Sequence, residues 1–308
     1  MPKNLNKSSV FATDIPEPAC IGWLGMGHMA SALLTGLMSA GLDEDQSLIL
    51  AHPAHPARHP FPQSPKVPLV TPDAFLSQGP DILILAVKPS SVASALAAFD
   101  FDRLERPLLL ISVVAGLSLS DLQAFVPGSK VHVVRAMPNM PVACRLGATA
   151  CYGRRALPAS MASWTQSLFA SLGLLVDVDD EALMHAVTAL SGSGPAYFFT
   201  WMQALRDAGA SLGLPVDMAD ALALQTGLGA LNMGAQSDQS WASLADSVRS
   251  PGGTTDAALN LYDQVGAAVD SFEEIPYDGS IIQRMVKAAH QRSINLSADT
   301  PTNEDTSS

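Results

Sequence analysis

The stretch CIGWLGMGHMASALLTGLMSAG, residues 20 to 41, constrains this chain more than any other. A short apolar run ends at Gly25, a second glycine follows at Gly27, and the small Ala30 stands three positions on. An apolar, helix-favouring segment then continues. The pattern is a strand passing into a helix through G-x-G-x-x-A. Gly25 allows the tight turn, Gly27 lets backbone approach a ligand, and Ala30 permits close helix–strand packing. The first amides of the helix and the positive end of its dipole then suit a pyrophosphate. Read this way, Gly25, Met26, Gly27, His28, Met29 and Ala30 form a dinucleotide-phosphate loop. A lone glycine pattern is weak, and its weight here comes from the strand–loop–helix setting at the head of an α/β region.

From Cys20 to about Val178, β-rich runs alternate with helical segments: CIGWLG, SLILAH, DILILAVK, PLLLISVVAG, VHVVRAMP and ATACYG. Apolar strands without alternation, separated by helices, predict a parallel sheet covered on both faces, a doubly wound α/β fold. From about Asp179 onward nothing reads as strand. Helical periods run near 181–190, 195–212, 217–234, 241–247, 255–272 and 278–295, with Asp217 as one N-cap candidate. Between Ala186 and Gly234 the only charged residues are Arg206, Asp207, Asp217 and Asp220. Helices this poor in charge are apolar on most faces, and burial inside a homodimer or a sandwich within one chain would cover them. The expected division is a polar tail over 1–18, a dinucleotide-binding domain over 19–180, an all-helical dimerisation and substrate domain over 181–295, and a second tail over 296–308.

With 29 acidic and 17 basic residues, the formal net charge is −12. That sign and the lack of a basic stripe argue against a nucleic-acid partner. Any anion site must therefore rely on local dipoles and donors. Cys20, Cys144 and Cys151 have no metal-like spacing and are odd in number, which suits reduced thiols in a cytoplasm. No signal peptide is visible and no apolar run is long enough to span a bilayer, so the chain reads as a cytoplasmic protein without a membrane partner.

The second strand run, SLILAH, ends without an acidic residue to bind an adenosine ribose hydroxyl. His52, His55, Arg58 and His59 follow, which suits a 2′-phosphate and favours NADPH over NADH, with NADH left open. The prolines among these histidines fix no ligand face, and no metal site is expected. Three further runs end at the carboxyl edge of the predicted sheet, where open α/β sheets bind ligands. They add Ala86, Val87, Lys88 and Pro89, then Ala115 and Gly116, then Asn139 within the stiff RAMPNMP loop, as cofactor-contact candidates.

One segment interrupts the helical half: SVRSPGGTTDAALNLYD, residues 247 to 263. Pro251, Gly252 and Gly253 continue a helix poorly, whereas Thr254 or Thr255 begins one well. Exposed backbone N–H groups with hydroxyls beside them read as a seat for an anion.

Together, IGWLGMGHMA, AVKP, VAGL, MPNMP, LSGSGPAYFF and SPGGTT, in this order and spacing, resemble the pyrroline-5-carboxylate reductase family over roughly residues 20 to 295. SGSGPAY followed some sixty residues later by SPGGTT is the specific part. The resemblance implies a Rossmann-like domain joined to an all-helical domain through which two subunits interlock, with larger rings of dimers known in the family. It implies NAD(P)H-dependent reduction of a cyclic imine acid to proline. It further implies that Ser250, Gly252, Gly253, Thr254 and Thr255 hold the substrate carboxylate, that the Thr255 hydroxyl orients the substrate nitrogen as the catalytic residue, and that Glu181 borders the site. SGSGPAYFF is expected to turn one helix into the next, with a tight bend over Ser191 to Gly194 and Pro195 in the first turn of the second. His28, Met140, Ser247, Arg249 and Tyr262 depart from the family's usual residues. Because Ser247 and Arg249 flank the carboxylate loop, a related cyclic imine acid stays open as substrate. A non-catalytic NADP-binding regulatory dimer is the reading from another class.

Overall fold

The computed structural model describes residues 20–42, 48–51, 69–126, 128, 130–269 and 281–299. Contacts divide the described chain into two compact units: residues up to Ser193 together with those from Ala289, and residues from Gly194 to Ala288.

The first unit is an eight-stranded sheet. Its strands are β1 (Ile21–Leu24), β2 (Leu48–Ala51), β3 (Leu69–Val70), β4 (Ile82–Leu85), β5 (Leu108–Ser112), β6 (Val131–Met137), β7 (Gly147–Tyr152) and β8 (Gly173–Asp177). They lie in the order β3-β2-β1-β4-β5-β6-β7-β8. The pairs from β3 through β6 are parallel, β7 runs antiparallel to β6, and β8 runs parallel to β7. The chain leaves β1 toward β2 and β3, then returns to its other side at β4. That reversal opens a crevice at the carboxyl ends of β1 and β4.

Alternate strand residues feed two separate cores. Ile21, Trp23, Ile84, Ile111 and Val134 pack on one face with Leu33, Leu34 and Leu37 of α1 (His28–Ser39) and Phe169 of α5 (Ala159–Ala170). Leu24, Leu83, Leu85 and Leu110 pack on the other face with Phe75 of α2 (Pro72–Ser77), Leu96 of α3 (Val92–Leu96) and Leu122 of α4 (Leu119–Ala124). Burial on both faces explains why these strands read as unbroken apolar runs. The doubly wound, Rossmann-like expectation holds.

β3 and β8 escaped the sequence reading. β3 is two residues long, and β8 is an edge strand that exposes Leu174 and Val176. The antiparallel turn of β7 follows from chain length. Only residues 138–146 separate it from β6, too few for the crossover that a parallel pairing needs.

The expected tight bend over Ser191–Gly194 is corrected. Thr188–Gly192 forms a wide π-helical turn after α6 (Leu183–Val187), and Ser193 N–H donates to the Thr188 carbonyl at 2.9 Å. Neither Gly192 nor Gly194 adopts positive φ. Pro195, in the first turn of α7 (Gly194–Ser211), has no N–H to offer the carbonyl four residues back. That carbonyl, of Ser191, instead accepts from Asn139 Nδ2 at 3.0 Å. Asp217 is corrected likewise. Pro215 precedes α8 (Val216–Gln236), and Asp217 lies inside the first turn, its Oδ1 accepting from Met218 N–H at 2.9 Å.

The second unit adds α9 (Trp241–Ser247), α10 (Thr254–Val269) and the beginning of α11 (Ile281–Asp299), whose remaining turns belong to the sheet unit. α11 runs past the expected boundary at 295; residues 1–19 and 300–308 lie outside the described residues. α7 and α8 pack closely, with Met202 against Gly227. Much apolar surface stays uncovered within the chain: Phe199 is 70% exposed and Leu222, Leu224, Leu228 and Met233 are exposed. Among the described residues no helix is long and apolar enough to cross a membrane.

Gly36 shows how tightly α1 seats. A Cβ there would lie 2.1 Å from the Val142 carbonyl oxygen and 2.7 Å from Leu172. Gly36→Ala must shift α1, at a cost of about 1–3 kcal/mol or more. A thermal melt followed by circular dichroism is expected to show a drop of several degrees; an unchanged midpoint would contradict this packing.

Candidate active site

Helices among the described residues start in several ways, and α3, α5, α6 and α8 show no side-chain cap. α2, α4 and α9 close their own N-termini: Thr71, Ser118 and Ser240 each accept, through the side-chain oxygen, an N–H of the first turn. α1 and α10 instead follow glycines, Gly27 and Gly253. Glycine has no side-chain acceptor, so the first-turn amides of both helices stay open to an external anion.

At α1 the geometry matches the phosphate-loop expectation. Gly25 has φ +96°, and a Cβ there would lie 2.7 Å from Val87 Cγ1 and 2.8 Å from the Ala86 carbonyl carbon. The first glycine therefore serves both a left-handed turn and a close approach to the end of β4. At Gly27 a Cβ would meet nothing within 4 Å, so the space over the helix start is free. Ala30 is fully buried, Met26 and Met29 pack on the core, and His28 faces solvent. Ala86 N–H donates to the Leu24 carbonyl at 2.8 Å, bringing Ala86, Val87, Lys88 and Pro89 alongside the loop. An open dinucleotide cradle of this kind fits a pyrophosphate.

The next two edge loops are held partly by the protein itself. Gly116, with φ +87°, lies against Leu296 of α11, where a Cβ would sit 3.3 Å from the Leu296 carbonyl oxygen. Asn139 is buried, with Nδ2 on the Ser191 carbonyl and Oδ1 accepting from Ala148 N–H at 2.9 Å. Its side chain thus ties the β6 loop to β7 and to the π-helical turn. Ala115 adjoins Gly116 at the end of the β5 loop.

Glu181 lies in the sheet unit and makes two short bonds. Its Oε1 accepts from the Leu119 N–H and from Arg135 Nη1, each at 2.6 Å. Arg135 is buried on β6, and its Nε has no hydrogen-bond partner among the described residues. One carboxylate therefore joins the start of α4 to strand β6, a role the sequence does not announce because the residues lie 46 and 62 positions apart. Nearby, His185 Nδ1 lies 3.0 Å from Ser293 Oγ. Burial first, then the Arg135 and His290 charges, hold this imidazole below its ordinary pKa, with Glu181 opposing. Cys151 is inert as a nucleophile, since burial pushes its thiol up to about 12.

In the helical unit, Gly253 N–H donates to the Ser250 carbonyl at 2.9 Å, closing a turn with Pro251 and Gly252 at its centre. Gly252 has φ +69°, as the third position of a type II turn requires. Its N–H is already taken by Asp256 Oδ2 at 3.0 Å. Two of the five expected carboxylate-holding positions therefore bond inside the loop. The amides of Thr254 and Thr255 and the hydroxyls of Ser250, Thr254 and Thr255 make no such bond among the described residues. Asp256 was missed by sequence reasoning, although an acid in the first turn is itself a helix-start signal. Arg249 lies 2.7 Å from Asp256 through Nε and 2.6 Å from Asn260 Oδ1 through Nη2. His52, His55, Arg58 and His59 lie outside the described residues. Among those described, no group of three His, Cys, Asp or Glu side chains is placed to hold a metal.

The open start of α1 can be closed by substitution. Gly27→Asp supplies the missing cap without a clash. The ligand-free protein is expected to melt no lower than before, while nicotinamide-dinucleotide affinity falls at least about tenfold, one lost charge-assisted contact. Fluorescence titration and a melt measure both; unchanged affinity would contradict an anion seat there.

A family model described as pyrroline-5-carboxylate reductase dimerisation matches residues 181–296, and one described as NADP oxidoreductase, coenzyme F420-dependent, matches residues 20–116. Pyrroline-5-carboxylate reductase from Pseudomonas aeruginosa is 35% identical over 276 residues, covering 90% of this chain and 96% of the relative. The enzyme of that name from Pisum sativum is 32% identical over 90% of this chain and 96% of its own. Among solved structures, Plasmodium falciparum pyrroline carboxylate reductase with NADP bound superposes with a TM-score of 0.76 at 27% identity, covering 91% of this chain and 99% of the other. The Coxiella burnetii pyrroline-5-carboxylate reductase gives the same TM-score at 29% identity over 91% of this chain and 99% of the other. Shared identity along nearly the whole chain, on a fold whose phosphate loop and SPGGTT helix start both stay open, means that the chain belongs to the pyrroline-5-carboxylate reductase family.

Proposed function

We propose that this protein reduces 1-pyrroline-5-carboxylate to L-proline with NADPH as preferred donor. The carrying observation is the pair of glycine-started helices, one in each unit, whose first amides are left without side-chain caps. When bound, the reduced nicotinamide supplies a hydride to the imine carbon. The chain holds the donor's pyrophosphate at Gly25 to Ala30, with Ala86 to Pro89, Ala115, Gly116 and Asn139 along the same edge. His52 and Arg58 receive the 2′-phosphate.

The amides of Thr254 and Thr255 hold the substrate carboxylate, each charge-assisted bond contributing about 1.5–3 kcal/mol. Ser250 adds a hydroxyl, while Gly252 and Gly253 shape the turn that presents these donors. The Thr255 hydroxyl, which makes no bond among the described residues, orients the substrate nitrogen. A protonated imine is already electrophilic, and the nitrogen keeps its proton as the C=N bond becomes an amine C–N bond. No strong general acid is then needed, which suits a threonine hydroxyl. Glu181 acts through the start of α4 and the strand β6 that it joins.

The protein works as a homodimer. Support comes from the exposed Phe199, Leu222, Leu224 and Leu228 on helices nearly free of charge, and from the dimerisation model matching that region. We place the functional division near residue 180, larger rings of dimers as the higher assembly, and the cytoplasm as its compartment. Native mass measurement reads the number of subunits directly.

Thr255→Ala is expected to lower kcat about tenfold to hundredfold while NADPH affinity changes less than about twofold, as loss of a positioned group predicts. Thr255→Ser is expected to recover most of the rate. Proline formation followed with nicotinamide absorbance is the assay, and equal losses of turnover and NADPH binding would overturn this assignment.

A further inference from the structure

The proposed carboxylate seat contains a carboxylate of its own. Asp256 stands in the first turn of α10, two residues past Thr254, and its Oδ2 accepts the Gly252 N–H at 3.0 Å. That bond holds the left-handed Gly252 in the turn. It also places a negative charge within the loop whose amides face an anionic substrate, in a protein of net charge −12. An unpaired aspartate here repels the ligand that the helix start attracts.

Arg249 answers this charge. Its Nε lies 2.7 Å from Asp256 Oδ1, its Nη2 lies 2.6 Å from Asn260 Oδ1, and its Nη1 lies 4.0 Å from Asp263 Oδ2. The guanidinium spans two turns of α10 from the segment just before the loop. Both partners of the pair are about one quarter exposed, so neither is dissolved in bulk water nor sealed in a core. The arginine bond and the Gly252 N–H together hold the Asp256 carboxyl below its usual range, keeping it ionised. Asp246 adds a further negative charge near the guanidinium.

We infer that Arg249 and Asp256 form a positioning pair for substrate: Asp256 sets the SPGGTT turn by hydrogen bond, and Arg249 cancels the charge that this places beside the substrate carboxylate. The inference rests on the imine-acid reading above and deepens it. The arginine serves the loop's own aspartate and is not a direct ligand of the substrate.

The two partners then have opposite effects, which a purely structural ion pair does not produce. Arg249→Ala leaves the aspartate charge bare and is expected to raise KM for 1-pyrroline-5-carboxylate about tenfold. KM for NADPH is expected to change less than about twofold. Asp256→Asn keeps a side-chain oxygen for Gly252 N–H while removing the charge, so its KM is expected at or below that of the unsubstituted protein. Arg249→Ala combined with Asp256→Asn is expected to return KM to within about threefold, and Arg249→Lys to preserve it. Raising salt from about 0.05 to 0.5 M is expected to reduce the Arg249→Ala defect by screening the bare charge.

Steady-state kinetics with purified full-length proteins and saturating NADPH decide the matter, alongside melts of every variant. If the unsubstituted protein reduces the imine but Arg249→Ala and Asp256→Asn raise KM alike, with additive losses in the double variant, the pair is only structural and this inference alone falls. If the unsubstituted protein binds NADPH yet does not reduce the imine, the parent reading falls and takes this one with it.

Discussion

Backbone amides at the glycine-preceded starts of α1 and α10, without side-chain caps among the described residues, are the feature on which the rest depends. A helix normally closes its first turn with a serine, threonine, asparagine or aspartate, as Thr71, Ser118 and Ser240 do here. At Gly27 and Gly253 the chain forgoes that stabilisation. Helix starts of this kind suit an anion without a basic surface, because the donors are fixed dipoles and not mobile side chains. Everything around each helix start keeps it rigid and uncapped.

Rigidity at α1 comes from packing. The helix is buried along Ala30, Leu33, Leu34 and Leu37, and Gly36 lets it approach the Val142 backbone closely. Gly25 then fits against the end of β4 with no room for a side chain. At α10 the restraint is polar. Pro251 and the left-handed Gly252 shape the turn, Asp256 fixes it, and Arg249 balances Asp256. The one loop is set by a buried core, the other by an ion pair near the surface. The second is therefore the more open to change by substitution and by salt.

The sheet unit carries its own set of ties at the carboxyl edge. Glu181 joins the start of α4 to strand β6, Asn139 joins the β6 loop to β7 and the π-helical turn, and Leu296 covers Gly116. Some residues that a sequence pattern marks as ligand contacts thus hold the edge together. Asn139 is the clearest case, with both the nitrogen and the oxygen of its side-chain amide bonded within the protein.

Local order determined a good deal. Strand, glycine loop and helix follow one another within residues 20 to 41, so that strand–loop–helix unit was legible in sequence, as were the apolar runs of the buried strands. The charge-poor helices after Gly194 were legible too, because low charge over 40 residues leaves few ways to face water. Tertiary structure alone decided the rest. The antiparallel turn of β7, the edge strand β8 and the π-helical passage before Pro195 depend on what lies beside each segment. Glu181 meets Arg135 and Leu119 only after folding, since an ion pair across 46 residues leaves no periodic trace in the chain. Arg249 and Asp256 lie only seven apart, yet their pairing also needed the structure. A turn of backbone between them sets the direction of both side chains, and direction is what a sequence does not record.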